Sequence, residues 1–206
     1  RLGHQGLRLD QHPPLSGTSG GAAFVETPHR RRPSARARPA AVQVLLLDLD
    51  ETLYPRGNGV LRRIDARINS FMTDRLGFDP AQVDAELDDY LHHCHGVDLS
   101  DLLGPDPRLR ALLERVPLRK AVLTNAPRRH ARQVLDLLGL ADLMEQVIAL
   151  EDIGYVPKPA PSAFATATAA LDVLPGECVF VDDMLASVRA AAAQGLHAVW
   201  LAPPEA

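Results

Sequence analysis

The residues with the clearest chemical potential are Asp48-Leu49-Asp50-Glu51-Thr52, set directly after the largely apolar run 42–47. A run of Val and Leu bounded by acids reads as a strand buried on both faces, as in a parallel sheet. Two aspartates at i and i+2 at its carboxyl end point the same way by strand periodicity. Open parallel sheets bind ligands beyond the carboxyl ends of their strands. Two carboxylates crowded there repel unless a positive charge sits between them. Magnesium suits them, because hard cations take oxygen ligands. The chemistry this points to is phosphoryl transfer. The plain alternative is a strand that ends in a solvated acidic loop.

Three further polar groups follow stretches of strand character. Thr124-Asn125 follows Ala121-Val122-Leu123, and Asp182-Asp183 follows Val179-Phe180-Val181. Lys158 stands between Pro157 and Pro159, shortly after the run 147–150. Each has an ordinary reading on its own. Thr124 could be a capping hydroxyl, Asp182-Asp183 an N-cap for the helix behind it, and Lys158 a surface lysine. The chain has only two lysines against twenty arginines, however. Taken together, these groups put hydroxyl, ammonium and carboxylates on one topological edge, which is how an active site is assembled.

The elements that must position them alternate in type. Strands are expected at 42–48, 121–124, 147–150, 178–181 and 197–201. Helices are expected at 128–138, stopped by Gly139, and at 162–171 and 185–193. Strands separated by helices imply a parallel sheet with right-handed crossovers. The first crossover differs, because roughly 65 residues of helical periodicity alone follow Thr52, too many for one crossover helix. Val60, Leu61, Ile64, Ile68, Phe71, Met72 and Leu76 recur at helical spacing up to Gly77. Asp79-Pro80 opens a second helix through Val83, Leu87, Tyr90, Leu91 and Cys94. Leu109, Leu112, Leu113 and Val116 make a third. The fold class is therefore α/β, a doubly wound parallel sheet with a small inserted helical cap. Residues 41–54 and 118–206 form the core and 55–117 the insertion. A cap over the strand ends would exclude water from a polar site.

Bulk properties narrow the partners. The chain has 206 residues and a net charge of -4. Residues 1–40 carry seven arginines against two acids, a net +5, which leaves -9 on the rest. That acidic remainder excludes nucleic-acid binding as the main role, since such binding neutralises phosphates. Residues 1–40 are rich in Gly, Pro, Ser and Arg without periodicity, and are expected to be a disordered tail. Cys94 and Cys178 do not make a disulfide framework, so a reducing cytoplasm is the expected location. No apolar run reaches the length of a membrane span. His92-His93-Cys94-His95 looks like a zinc cluster only superficially. Consecutive helical residues face different directions, and no second ligand cluster follows.

The order Asp-x-Asp-x-Thr, Thr-Asn, Lys-Pro, Asp-Asp resembles the four motifs of the haloacid dehalogenase superfamily. The spelling Leu47-Asp48-Leu49-Asp50-Glu51-Thr52-Leu53-Tyr54-Pro55 is similar to its pyrimidine 5'-nucleotidase-like branch. So are Leu123-Thr124-Asn125-Ala126, His130-Ala131 and Leu138-Gly139-Leu140. The resemblance covers 41–206. It implies a magnesium-dependent phosphomonoesterase on a Rossmann-like core, acting on nucleoside 5'-monophosphates. A sugar phosphate or other small phosphorylated metabolite is the runner-up substrate, and a catalytically weak relative that binds phosphometabolites or a protein partner is the other alternative. Asp48 would be the nucleophile and Asp50 the general acid and then base. Thr124, Asn125 and Lys158 would bind the phosphate, and Lys158 would also hold Asp48. Asp48, Asp183 and the backbone carbonyl of Asp50 would bind magnesium, with Asp182 as a further candidate. The second acid, Asp50, argues against dehalogenase chemistry. A monomer or homodimer is expected. Two departures stand out. Met184 and Ser187 occupy positions where the family commonly has Ser and Asn. The run 83–87 also passes directly into Asp88-Asp89-Tyr90 without the usual Tyr-Gly stretch, as in a shortened cap.

Overall fold

The computed structural model describes residues 41–74 and 97–203, with backbone alone at 68, 69 and 71–74. The expected tail at 1–40, the second helix of the insertion, Cys94 and the His92-to-His95 run lie outside the described residues.

Val- and Leu-rich segments form five strands: β1 (Val44–Leu47), β2 (Arg119–Leu123), β3 (Gln146–Ile148), β4 (Cys178–Asp182) and β5 (His197–Trp200). They make one sheet in the order β3-β2-β1-β4-β5, and every pairing is parallel. The helices are α1 (Val60–Asp74), α2 (Pro107–Arg115), α3 (Arg128–Leu138), α4 (Pro161–Ala170) and α5 (Leu185–Ala193). The chain therefore winds outward from the central strand twice, in opposite directions. That topology opens a crevice at the carboxyl end of β1.

Side-chain alternation along the strands separates two apolar layers. Val44 and Leu46 of β1 join Phe164 and Ala167 of α4 and Phe180 of β4. The Phe164 and Phe180 rings meet edge-on at 5.3 Å. Leu47 instead joins Val134, Leu135 and Leu138 of α3. Leu113 of α2 belongs to this second layer, so the helix read above as the third of the insertion contributes to the same apolar layer as α3. Asp106 caps α2 by accepting from the N–H groups of Arg108 and Leu109, and Arg110 donates to the carbonyl of Gly139 at 2.6 Å. Gly139 ends α3 at φ +66°, a left-handed conformation that glycine reaches without a Cβ penalty. Among the described residues, no helix is long and apolar enough to cross a membrane.

Candidate active site

The strands deliver their polar groups to one edge because they are in register. Leu47 of β1 pairs with Val181 of β4, so Asp48 and Asp182 leave neighbouring strands at the same level. The Asp48 N–H donates to the Val181 carbonyl at 2.9 Å. β1 stops at Leu47, and the segment beyond it turns: Leu53 N–H donates to the Leu49 carbonyl at 2.9 Å. It is this turn that positions Asp50, where simple strand alternation was expected. Leu49 and Leu53 are buried beneath it and anchor it in the α3-side layer.

Lys158 is the hub. Its ammonium donates to Asp48 Oδ1 at 2.6 Å and to Asp182 Oδ2 at 2.8 Å, and it lies 5.2 Å from the Phe180 ring centroid. Lys158, Asp48, Asp182, Asp183 and Thr124 are all buried. An unpaired charge at such depth would be strongly unfavourable, so the lysine is what allows two carboxylates to lie there. Asn125 fixes the lysine's backbone. Its amide donates to the Lys158 carbonyl at 2.9 Å, and its oxygen accepts from the Lys158 N–H at 2.8 Å. One N–H and the oxygen of the carboxamide thus hold the Lys158 loop. Thr124 Oγ1 accepts from the Ala126 N–H at 3.0 Å.

Burial pushes the Asp48 carboxyl up; Lys158 pulls it back, and Asp182 pushes it up again, to about 6. Thr52 Oγ1 donates to Asp48 Oδ2 at 3.1 Å. Asp182 is fully engaged, with Oδ2 on Lys158 and Oδ1 accepting from the Met184 N–H at 2.6 Å. Met184 therefore serves through its backbone, while its side chain is exposed; Ser187 is buried.

Four residues without a role in the sequence reading also reach the site. Tyr54 donates its hydroxyl to Asp50 Oδ1 at 2.6 Å. Burial and the Asp50 carboxylate push this phenol well above its ordinary value, so it stays a donor. His130, in the first turn of α3, places Nε2 2.8 Å from the same oxygen. Arg56 pairs with the Asp183 carboxylate and donates to the Asp183 carbonyl at 3.1 Å. Trp200 Nε1 donates to that carbonyl at 2.9 Å. Tyr54 and His130 stand in the stretches that carried the family resemblance. Arg56 had no signal of its own in a chain with twenty arginines.

Carboxylate oxygens of Asp48, Asp182 and Asp183 lie within 4.8 Å of one another. Hard oxygen donors at that spacing fit a cation such as magnesium. Asp183 fits best as a ligand: among the described residues its Oδ1 accepts no hydrogen bond, whereas Asp48 bonds Lys158 and Thr52 and Asp182 bonds Lys158 and Met184.

A family profile described as haloacid dehalogenase-like hydrolase matches residues 42–195. The chain is 26% identical to phosphate metabolism protein 8 of Saccharomyces cerevisiae, over 78% of this chain and 62% of that protein. It is 36% identical to validoxylamine A 7'-phosphate phosphatase of Streptomyces hygroscopicus subsp. limoneus, over 42% of this chain and 39% of that protein. The matches thus span less than two thirds of either relative. A HAD phosphatase from Thermococcus onnurineus superposes with a TM-score of 0.57 at 22% identity, covering 80% of this chain and 88% of that one; this likeness concerns the fold. The profile accounts for most of the chain, and the protein belongs to the haloacid dehalogenase-like hydrolases.

Proposed function

We propose that this protein is a magnesium-dependent phosphomonoesterase that works through an aspartyl-phosphate. The observation that carries this reading is the Asp48 carboxylate, buried at the sheet edge and tethered by Lys158, with Asp50 two residues on. An Asp48 oxygen attacks phosphorus as the ester P–O bond breaks, and Asp50 gives its proton to the departing oxygen. Water then attacks the phosphoryl group and returns a proton to Asp50. The Asp48–phosphorus bond breaks, and phosphate leaves. Lys158 and Thr124 stabilise the charge on the transferring group, while Asn125 holds the Lys158 loop in place. Asp48, Asp183 and the Asp50 carbonyl would hold the metal. A bound metal would neutralise charge on the phosphoryl oxygens and favour the ionised form of Asp48.

Nucleoside 5'-monophosphates are the proposed substrates, on the residues shared with the pyrimidine 5'-nucleotidase-like branch. The relative named for validoxylamine A 7'-phosphate favours a second reading, a different small phosphorylated metabolite. Cap residues 55–117 would select between them. Phosphate release from a panel of nucleoside monophosphates and sugar phosphates tests both readings. Release should require magnesium, stop in chelator and vanish in Asp48→Asn without loss of fold. Wild-type-like release by that variant, or full activity in chelator, overturns the mechanism.

A further inference from the structure

Two side chains with no part in the steps above converge on a single oxygen. Tyr54 arrives from the turn after β1 and His130 from the first turn of α3, and both bond Asp50 Oδ1, at 2.6 and 2.8 Å. Facing a carboxylate oxygen, His130 Nε2 is a donor, as the phenol is. The two hydrogen bonds occupy both lone pairs of Oδ1. Among the described residues, no donor is bonded to Oδ2. No buried side-chain oxygen or nitrogen lacks a partner there either, so Oδ2 is open to solvent. The Asp50 side chain is 21% exposed and that of His130 15%.

The terminal torsion of an aspartate is broad and roughly two-fold, so an unrestrained carboxyl exchanges its oxygens freely. Proton transfer needs one oxygen held within hydrogen-bond reach of the reacting atom. We propose that Tyr54 and His130 are positioning residues that pin Oδ1 of Asp50 and thereby present Oδ2 to the departing ester oxygen and then to the attacking water. The Oδ2 proton passes to the ester oxygen as the ester P–O bond breaks and the Asp48–phosphorus bond forms. The water proton returns to Oδ2 in the second step. This inference rests on the acid–base role given to Asp50.

The test compares two leaving groups. p-Nitrophenolate departs without a proton, whereas an alkoxide needs one. We compare kcat/KM, which reports the steps through leaving-group departure. For the alkyl phosphate ranked first in the panel, His130→Ala should lower it roughly 10- to 100-fold, the low end of what general acid catalysis supplies. For p-nitrophenyl phosphate the loss should stay below about threefold, since the acid contributes little there. His130→Gln, which keeps a donor, should recover part of the alkyl activity. Tyr54→Phe removes one hydroxyl and should show the same asymmetry, which guards against a folding defect in the histidine variant. Equal losses on the two substrates in an active enzyme overturn the positioning role alone. A wild-type protein that releases phosphate from neither substrate overturns the phosphatase reading and this inference with it.

Discussion

Asp48 lies under opposing influences, and their balance makes its charge depend on pH. Burial is the largest of them and raises the carboxyl from 3.8 to about 6 despite the Lys158 ammonium. The folded protein therefore binds more protons than the unfolded chain between those values. The stability associated with this group is fully present below the lower value and is lost as pH rises through the higher one. In chelator, wild-type stability should fall relative to Asp48→Asn as pH is raised from about 4 to about 7. Paired urea titrations across that range check it, and a difference that stays flat with pH would remove burial as the dominant influence. Cys178 shows the same physics without a chemical consequence. Burial pushes its thiol up to about 11, which keeps it protonated and unreactive, as expected for a residue that opens a core strand.

The loop between β2 and α3 does more than connect. It supplies Thr124, it anchors the Lys158 backbone through Asn125, and it starts the helix that brings His130 to Asp50. Removing the carboxamide leaves a Lys158 N–H and carbonyl without their partners. Asn125→Ala should therefore destabilise the protein by about 1–3 kcal/mol. It should also lower kcat more than it raises KM, because the Lys158 ammonium loses its fixed position. Denaturant midpoints and steady-state kinetics check both parts, and unchanged stability would show that the loop is held by other contacts. The strands impose a firmer constraint. Asp48 and Asp182 come together because parallel register puts Leu47 opposite Val181, and a one-residue slip would turn each carboxylate to the other face.

Among the described residues, the three buried carboxylates Asp48, Asp182 and Asp183 pair with two cations, Lys158 and Arg56. A ligand that binds the native state alone raises stability by about 2.7 kcal/mol at a hundred times its Kd. Magnesium should therefore raise the unfolding temperature, and Asp183→Asn should abolish that rise. Arg56 competes for the same carboxylate from a partly exposed position. Arg56→Gln should tighten magnesium binding by at most about fivefold, since such ion pairs contribute up to about 1 kcal/mol. Calorimetric titration reads this directly, and weaker binding in the variant would make Arg56 a supporter of the site instead.

The sheet was legible in the sequence because both of its codes are local. Apolar runs bounded by Gly, Pro and acids marked the strands, and helix spacing with Gly139 marked α3. Asp48, Thr124, Lys158 and Asp182-Asp183 were legible for a related reason. Each follows a strand, and parallel topology collects strand ends on one edge. Tertiary structure decided what those neighbours do to one another. Residues 124 and 125 were expected to bind phosphate; what the sequence did not show is that Asn125 also bonds the Lys158 backbone, 33 residues away. Asp183 was the expected metal ligand and Asp182 a further candidate; in the fold the two oxygens of Asp182 bond Lys158 and Met184. Tyr54 and His130 converge on Asp50 although 76 residues separate them. Local pattern specifies an element and its exposed end. Which donor meets which acceptor depends on register, turn geometry and burial, and these are defined only once the chain has folded.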